Sequence, residues 1–342
     1  MADLHFPFEA PAGGQLKAIH PDVRWLRMPM PMKLDHINLY LLRHGDGFVA
    51  VDTGLATKST RQHWLRVLSE ELQGAPLKAL IVTHLHPDHI GLAGWLCQQT
   101  GAELWMSQAE FLSAHLYQHV ADMARSEPVL NFYQQAGFCE AVLVQMQESA
   151  AGFGRMITPL PFSYRVLEDG ADIEIGGRSW RVMIGAGHSV AHACLHCDEL
   201  GMLLGGDQAL PGITPNVALS SLTPQGDPLN HWFETQVRLA ALPQQTLVLP
   251  SHELPFTGLP ARCDQVIAHH RQQLELLLQA CGRAQTAVQL LPVLFKRALQ
   301  GTELVMAAGE CLAHLNYLCH RGKLVRRIGA DGVALYQRIE HG

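Results

Sequence analysis

The sequence predicts an α/β fold in which short strands and helices alternate in two successive blocks, with a layer of helices on each outer side. Two observations carry that prediction. Strand-like runs of four to six apolar or β-branched residues recur between positions 22 and 106 and again between 164 and 250, interleaved with segments of helical character. In addition, Leu80-Ile81-Val82-Thr83, a polar loop, a helical stretch from Ile90 to Thr100 and Glu103-Leu104-Trp105-Met106 follow the order of a βαβ unit. The bulk numbers agree. The 342 residues are 48% hydrophobic and 16% charged, which supplies a substantial core for one large domain with an appendage, or for two ordinary domains.

Taken in order, Val23 to Met28, Ile37 to Leu42 and Phe48 to Asp52 read as strands. His44-Gly45-Asp46-Gly47 gives turn chemistry between the last two, so the chain is expected to start antiparallel. Residues 59 to 73 read as an amphipathic helix. Residues 107 to 160 are helix-rich and are expected to form an insertion that caps a site. Strands resume at Tyr164 to Leu167, Asp172 to Ile175, Trp180 to Ile184, Ala193 to Cys197 and Met202 to Leu204. A helix over 229 to 242 precedes a last strand, Leu247 to Pro250, and a long helix over 260 to 281 follows.

The tail changes character. Val288 to Leu299 and Glu303 to His320 read as helices, and Gly322 to Ile328 with Val333 to Arg338 read as a hairpin closed by a Gly329-Ala330-Asp331-Gly332 turn. Helices followed by a basic hairpin outline a small winged-helix-like domain. Eight Lys and Arg against four Asp and Glu from residue 283 onward leave that segment at +4, whereas the whole chain carries −6. The expected division is 1–260 for a catalytic domain and 261–342 for a linker helix with the small domain.

Chemistry concentrates in Thr83-His84-Leu85-His86-Pro87-Asp88-His89. Four ligand-type side chains fall within six residues, between an apolar strand and a helix, and burying them without an ion would be costly. Three later strand ends add to the set: Gly187-His188 after Ile184, Gly205-Gly206-Asp207 after Leu204, and Ser251-His252 after Leu249. Each is weak alone. Together they offer seven nitrogen and oxygen ligands, always at the C-terminal end of a strand.

Those motifs, in that order over residues 22 to 255, resemble the metallo-β-lactamase superfamily. The resemblance implies a four-layer αββα sandwich. It implies that His84, His86 and His188 hold one metal, that Asp88, His89 and His252 hold a second, and that Asp207 bridges the two. Asp52, in Val51-Asp52-Thr53-Gly54, matches the buried aspartate that supports the ligand loop. Two departures stand out: Ala191-His192 replaces a second Gly-His, and Pro250-Ser251-His252-Glu253 places an acid beside the metal pocket. The tail resembles the winged-helix extension of a subgroup that includes glyoxalase-II-like hydrolases and an endoribonuclease.

The function this implies is hydrolysis by a hydroxide shared between two divalent metal ions, zinc first, with iron or manganese also suited to the ligands. Asp88 would also act on the proton of the attacking water. The acidic whole-chain balance favours a small ester, thioester or lactone as substrate, with Trp105, Tyr117, Phe132 and Tyr133 lining an apolar pocket, or else packing as ordinary core. The second reading is an endoribonuclease that grips single-stranded RNA through Arg321 to Arg327, a stretch that otherwise reads as a solvated wing or a homodimer contact. No run approaches the roughly 18 apolar residues of a membrane span, and no signal peptide is visible at the N-terminus. Eight scattered cysteines read as reduced thiols of a cytoplasmic protein, with Cys194 and Cys197 on opposite faces of a strand.

Overall fold

The computed structural model describes residues 4–119, 123–153 and 156–339. Leu16–His20 (β1), Val23–Pro29 (β2), His36–His44 (β3) and Gly47–Val51 (β4) form an antiparallel meander, as the turn at Gly45 predicts. Lys58–Arg66 (α1) runs on through a π-helical turn to Glu71 and returns the chain to Leu77–Ile81 (β5), parallel to β4. Pro87–Ile90 (α2) and Ala93–Thr100 (α3) lead to Glu103–Met106 (β6), again parallel. Gln108–Tyr117 (α4), Glu127–Gln135 (α5) and Glu140–Phe153 (α6) follow, and Arg165–Val166 (β7) closes a seven-stranded sheet.

Asp172–Ile175 (β8), Arg178–Gly185 (β9), His192–Cys197 (β10), Met202–Gly206 (β11) and Leu247–Pro250 (β12) form the second sheet, in the order β12-β11-β10-β9-β8. Pro228–Ala240 (α7) connects β11 to its parallel neighbour β12, and Leu259–Ala280 (α8) follows. The tail consists of Ala287–Leu294 (α9), Gly301–His320 (α10) and an antiparallel hairpin of Leu324–Ile328 (β13) and Ala334–Arg338 (β14). α9 stops short of the predicted Leu299. Pro292 withdraws an amide from its ladder, and the chain turns extended at Phe295.

The period-two alternation of the strands builds the layers. Val49, Val51, Ile81 and Leu204 face the space between the sheets, where Trp25, Tyr40, Trp180 and Leu195 complete a core. Ala50 and Leu80 face the other way, onto Trp64, Ile90, Leu96 and Phe111 of the first helical layer. Leu203 and Val248 face Leu239, Leu259 and Cys263 of the second. The result is the predicted αββα order. Central strands apolar on both faces explain why the sequence shows short continuous apolar runs there. Cys194 and Cys197 fall into different cores and are free thiols, as their spacing in a strand requires.

A further apolar cluster joins the tail to the rest: Phe138, Leu143 and Met146 of the insertion and Val217, Leu219 and Trp232 pack with Leu290, Cys311, Leu315 and Tyr336. Of the two roles open to Trp105, Tyr117, Phe132 and Tyr133, packing is the one all four take up. Trp105 lies in the inter-sheet core, Tyr117 against the first helical layer, and Phe132 and Tyr133 against the C-terminal helices. Among the described residues no helix is long and apolar enough to cross a membrane.

Candidate metal centre

Five strand ends from both sheets meet at one rim, and direct bonds hold them there. The Thr83 carbonyl after β5 accepts from Ala193 N of β10 at 2.9 Å, tying the two sheets together beside the ligand loop. On the other side, Asn38 and Tyr40 of β3 both hydrogen-bond the Pro250 carbonyl, at 3.0 and 2.9 Å, and the Asn38 amide N donates to Ser251 O. His252 is thereby fixed to the first sheet although it ends a strand of the second.

The ligand-type side chains converge in two groups, His84, His86, His188 and Asp207, then Asp88, His89 and His252. In the first, His84 Nε2 is 2.9 Å from His86 Nδ1 and 3.3 Å from His188 Nε2, and His188 Nε2 is 3.3 Å from Asp207 Oδ2. In the second, His252 Nε2 lies 3.4 Å from Asp88 Oδ2, and His89 Nε2 lies 3.7 Å from the same oxygen. Asp207 faces both groups. Its Oδ1 stands 3.5 Å from His89 Nε2 and 3.4 Å from His252 Nε2.

These spacings fit a metal. Four ligands at about 2.0 to 2.1 Å from a tetrahedral ion stand roughly 3.3 Å apart. His89 Nε2 and Asp207 Oδ1 are buried atoms that make no hydrogen bond among the described residues, which is unusual unless an ion takes them. The opposite ring nitrogens are already committed. His188 Nδ1 donates to Asn216 O and His252 Nδ1 to His36 O, both at 2.9 Å, and His89 Nδ1 lies 2.8 Å from Asp52 Oδ2. Each such partner fixes the tautomer that leaves the Nε2 lone pair pointing inward.

Electrostatics point the same way. Burial, reinforced by neighbouring imidazoles, holds His84 well below the ordinary histidine range and His86 down at about 3, so both are neutral at pH 7. Burial opposes charge on His89 and His252 too, but Asp207, with Asp52 and Asp88 beside His89 and Asp88 beside His252, raises both. The same contacts hold Asp207 well below the usual carboxylate range against its own burial. Without an ion, protons on these two histidines balance the carboxylates, and a cation would replace them.

Asp52 lies beneath the ligand loop and touches both of its ends. Its Oδ1 accepts from Thr83 N at 2.8 Å and its carboxylate also takes the Thr83 hydroxyl, so it organises the first residue of the ligand loop as well as His89. Its φ of +62° is a left-handed backbone that Asp tolerates better than most residues. His192, the replacement for the expected Gly-His, accepts from Asp207 N through Nε2 at 3.1 Å and stacks on the His84 ring. It orients Asp207.

The glycines beside His188 and Asp207, Gly187 and Gly206, make room for protein. A Cβ at Gly187 (φ +109°) would meet Trp232 Cβ at 2.6 Å, and one at Gly206 (φ +51°) would meet the His192 ring at 2.2 Å. The acid beside the pocket, Glu253, turns its carboxylate away, onto the amides of Gly212 and Ile213, because its own backbone is left-handed (φ +67°).

Sequence reasoning missed Glu110 altogether. This fully buried carboxylate on α4 accepts from Leu85 N at 2.9 Å and Ala191 N at 2.7 Å, clamping the His84–His89 loop to the His188–His192 loop. It also missed Asn216, whose carbonyl holds His188 while its side chain donates to Glu310 of α10 at 2.9 Å. No local motif marks either residue; a buried glutamate on an otherwise apolar helix face was the available signal.

Residues 32–252 match the family described as the Metallo-beta-lactamase superfamily. The chain belongs to the metallo-β-lactamase superfamily. Residues 274–339 match a second description, the Metallo-beta-lactamase-like, C-terminal domain. A β-lactamase domain protein from Burkholderia ambifaria is 38% identical and superimposes with a TM-score of 0.91 over 98% of both chains. A metallo-beta-lactamase family protein from Thermus thermophilus is 30% identical, with a TM-score of 0.79 over 94% of this chain and all of the other. Among curated relatives, the human acyl-coenzyme A thioesterase MBLAC2 is 25% identical over 57% of this chain and 66% of its own length. The lactamase-like protein adaB of Aspergillus niger is 23% identical over 75% of this chain, which spans only 62% of that relative.

Proposed function

We propose that this protein is a dinuclear metal-dependent hydrolase of a small thioester, ester or lactone. The observation that carries the reading is Asp207, whose two carboxylate oxygens face different ligand groups, one shared with His84 and His188 and the other with His89 and His252. His84, His86 and His188 would hold one ion, Asp88, His89 and His252 the other, with Asp207 between them. Zinc suits the imidazole-rich set; iron and manganese also fit it.

When bound, the two ions supply a water acidified toward pH 7 and a Lewis acid for the scissile carbonyl. The chain's own residues do the positioning. Asp207 fixes the distance between the two groups, and Glu110 and Asp52 hold the loops on which the imidazoles stand. Asp88, with its carboxylate against His252 and partly exposed, would orient the attacking water and take its proton.

Two features support an acyl substrate over RNA. One curated relative is named an acyl-coenzyme A thioesterase. And the basic tail is partly engaged internally: Arg321 pairs with Asp227 at 2.8 Å and lies over the Tyr317 ring, while Arg326 bonds Gln135 of the insertion. The test is a panel of acyl-coenzyme A thioesters, aryl esters and lactones assayed beside a single-stranded RNA. Chelator-sensitive turnover of an acyl compound is expected. Cleavage of the RNA alone, weakening steeply with salt, would replace this reading with the nuclease.

A further inference from the structure

A third group of ligand-type side chains lies away from the centre, where the C-terminal helices pack on α8: His270 of α8 with Glu310 and His314 of α10. Glu310 and His314 are one helical turn apart and so share a face of α10. His270 and His314 are both 0% exposed. His270 Nδ1 stands 3.1 Å from His314 Nε2, and the ligand atoms of all three residues lie within 4.8 Å of one another. His314 Nδ1 donates to the Glu310 carbonyl at 2.8 Å, which leaves its Nε2 lone pair facing His270, as in a histidine prepared for a metal.

A plain hydrogen bond between the two rings is the competing account, and it leaves buried groups unsatisfied. His270 would donate from Nδ1, and its Nε2, which has no hydrogen bond among the described residues, would be a buried lone pair beside the Trp232 and Phe233 rings. An ion on Nδ1 puts the ring proton on Nε2 instead, and aromatic surroundings accept an N–H better than a lone pair. Glu310 adds a carboxylate to the two imidazoles on the same packed face, and Asn216 holds one of its oxygens at 2.9 Å.

We propose that His270, Glu310 and His314 form a separate binding site for a divalent ion, zinc by preference, that pins α8 to α10. Two imidazoles and one carboxylate at helix spacing suit a borderline ion, with water completing the shell on the half-exposed Glu310 side. The site does not depend on what the main centre hydrolyses. It stands one hydrogen bond from that centre's brace, because Glu310 also holds Asn216 and Asn216 holds His188.

The test is metal content per folded chain by mass spectrometry after zinc loading and desalting, with circular dichroism as the folding check. Wild type is expected to retain three ions and His314→Gln two. A His84→Ala, Asp207→Ala double variant, which disables the main centre, is expected to keep one. If His314→Gln does not fold, Glu310→Gln takes its place with the same expected count of two. Two ions in wild type, with none lost from the variant, would overturn the site; so would three in both, which would mean adventitious binding to surface histidines. Failure of the main-centre reading would look different, since the double variant would then lose nothing.

Discussion

Asp52→Asn separates orientation from ligation. The carboxylate accepts from Thr83 N on one side and from His89 Nδ1 on the other, at 2.8 Å each, and only an acceptor-only group satisfies both N–H donors. Asparagine has one acceptor oxygen. Whichever way its amide is turned, an NH2 meets one of the two N–H groups. If it meets His89, the ring relieves the clash by moving its proton to Nε2, the atom that faces Asp207 and Asp88 and must be bare to bind an ion. The Thr83 hydroxyl, 3.2 Å from His89 Nδ1, is a poor substitute because it also contacts His84 Nδ1. Backbone strain is not the issue, since asparagine tolerates the left-handed φ of this position. Losing one hydrogen bond to a charged group costs about 1.5 to 3 kcal/mol, or roughly 10- to 100-fold in affinity. Competition against a chromophoric zinc chelator at pH 7.5 should therefore show one ion of the centre weakened by that factor. The ion on His84, His86 and His188 should be nearly unchanged. Wild-type affinity for both ions would refute the reasoning.

Other expectations follow from contacts already described. Glu110→Gln keeps one acceptor for the Leu85 and Ala191 amides and should cost about 1 to 3 kcal/mol in stability; kcat should fall more than KM rises, and equal effects on both would argue against a role in holding the loops. Gly187→Ala drives a methyl into Trp232 at a left-handed φ, so a loss of about 1 to 3 kcal/mol in urea unfolding is expected, together with weaker metal binding through His188. Native thiol titration at pH 8 should find exposed Cys139 fast. Burial pushes Cys263 up to about 12 and Cys281 to about 11, so both should stay silent until the chain unfolds.

The sequence exposes most clearly what is local. Thr83 to His89 can be read because strand, ligand cluster and helix follow within a few residues, and the later ligands because each ends an apolar strand. β1 escaped because Leu16–His20 is a half-exposed edge strand without clean alternation. Glu110, Asn216 and the His36–Asn38–Tyr40 brace escaped for a different reason. Their roles exist only once the two sheets face each other, and residues such as Asn38 and Pro250 lie 212 positions apart in the chain. The aromatics of the insertion stayed open between two roles because an apolar ring looks alike whether it lines a pocket or packs on Leu290 and Tyr336.

The most direct test of the central claim is hydrolysis of an acyl-coenzyme A thioester, followed by thiol release, as zinc, iron or manganese is titrated back into chelator-stripped, folded protein. The account predicts no turnover in the stripped protein, recovery on adding metal, and no recovery in His86→Ala. Undiminished hydrolysis by the metal-free protein would contradict it.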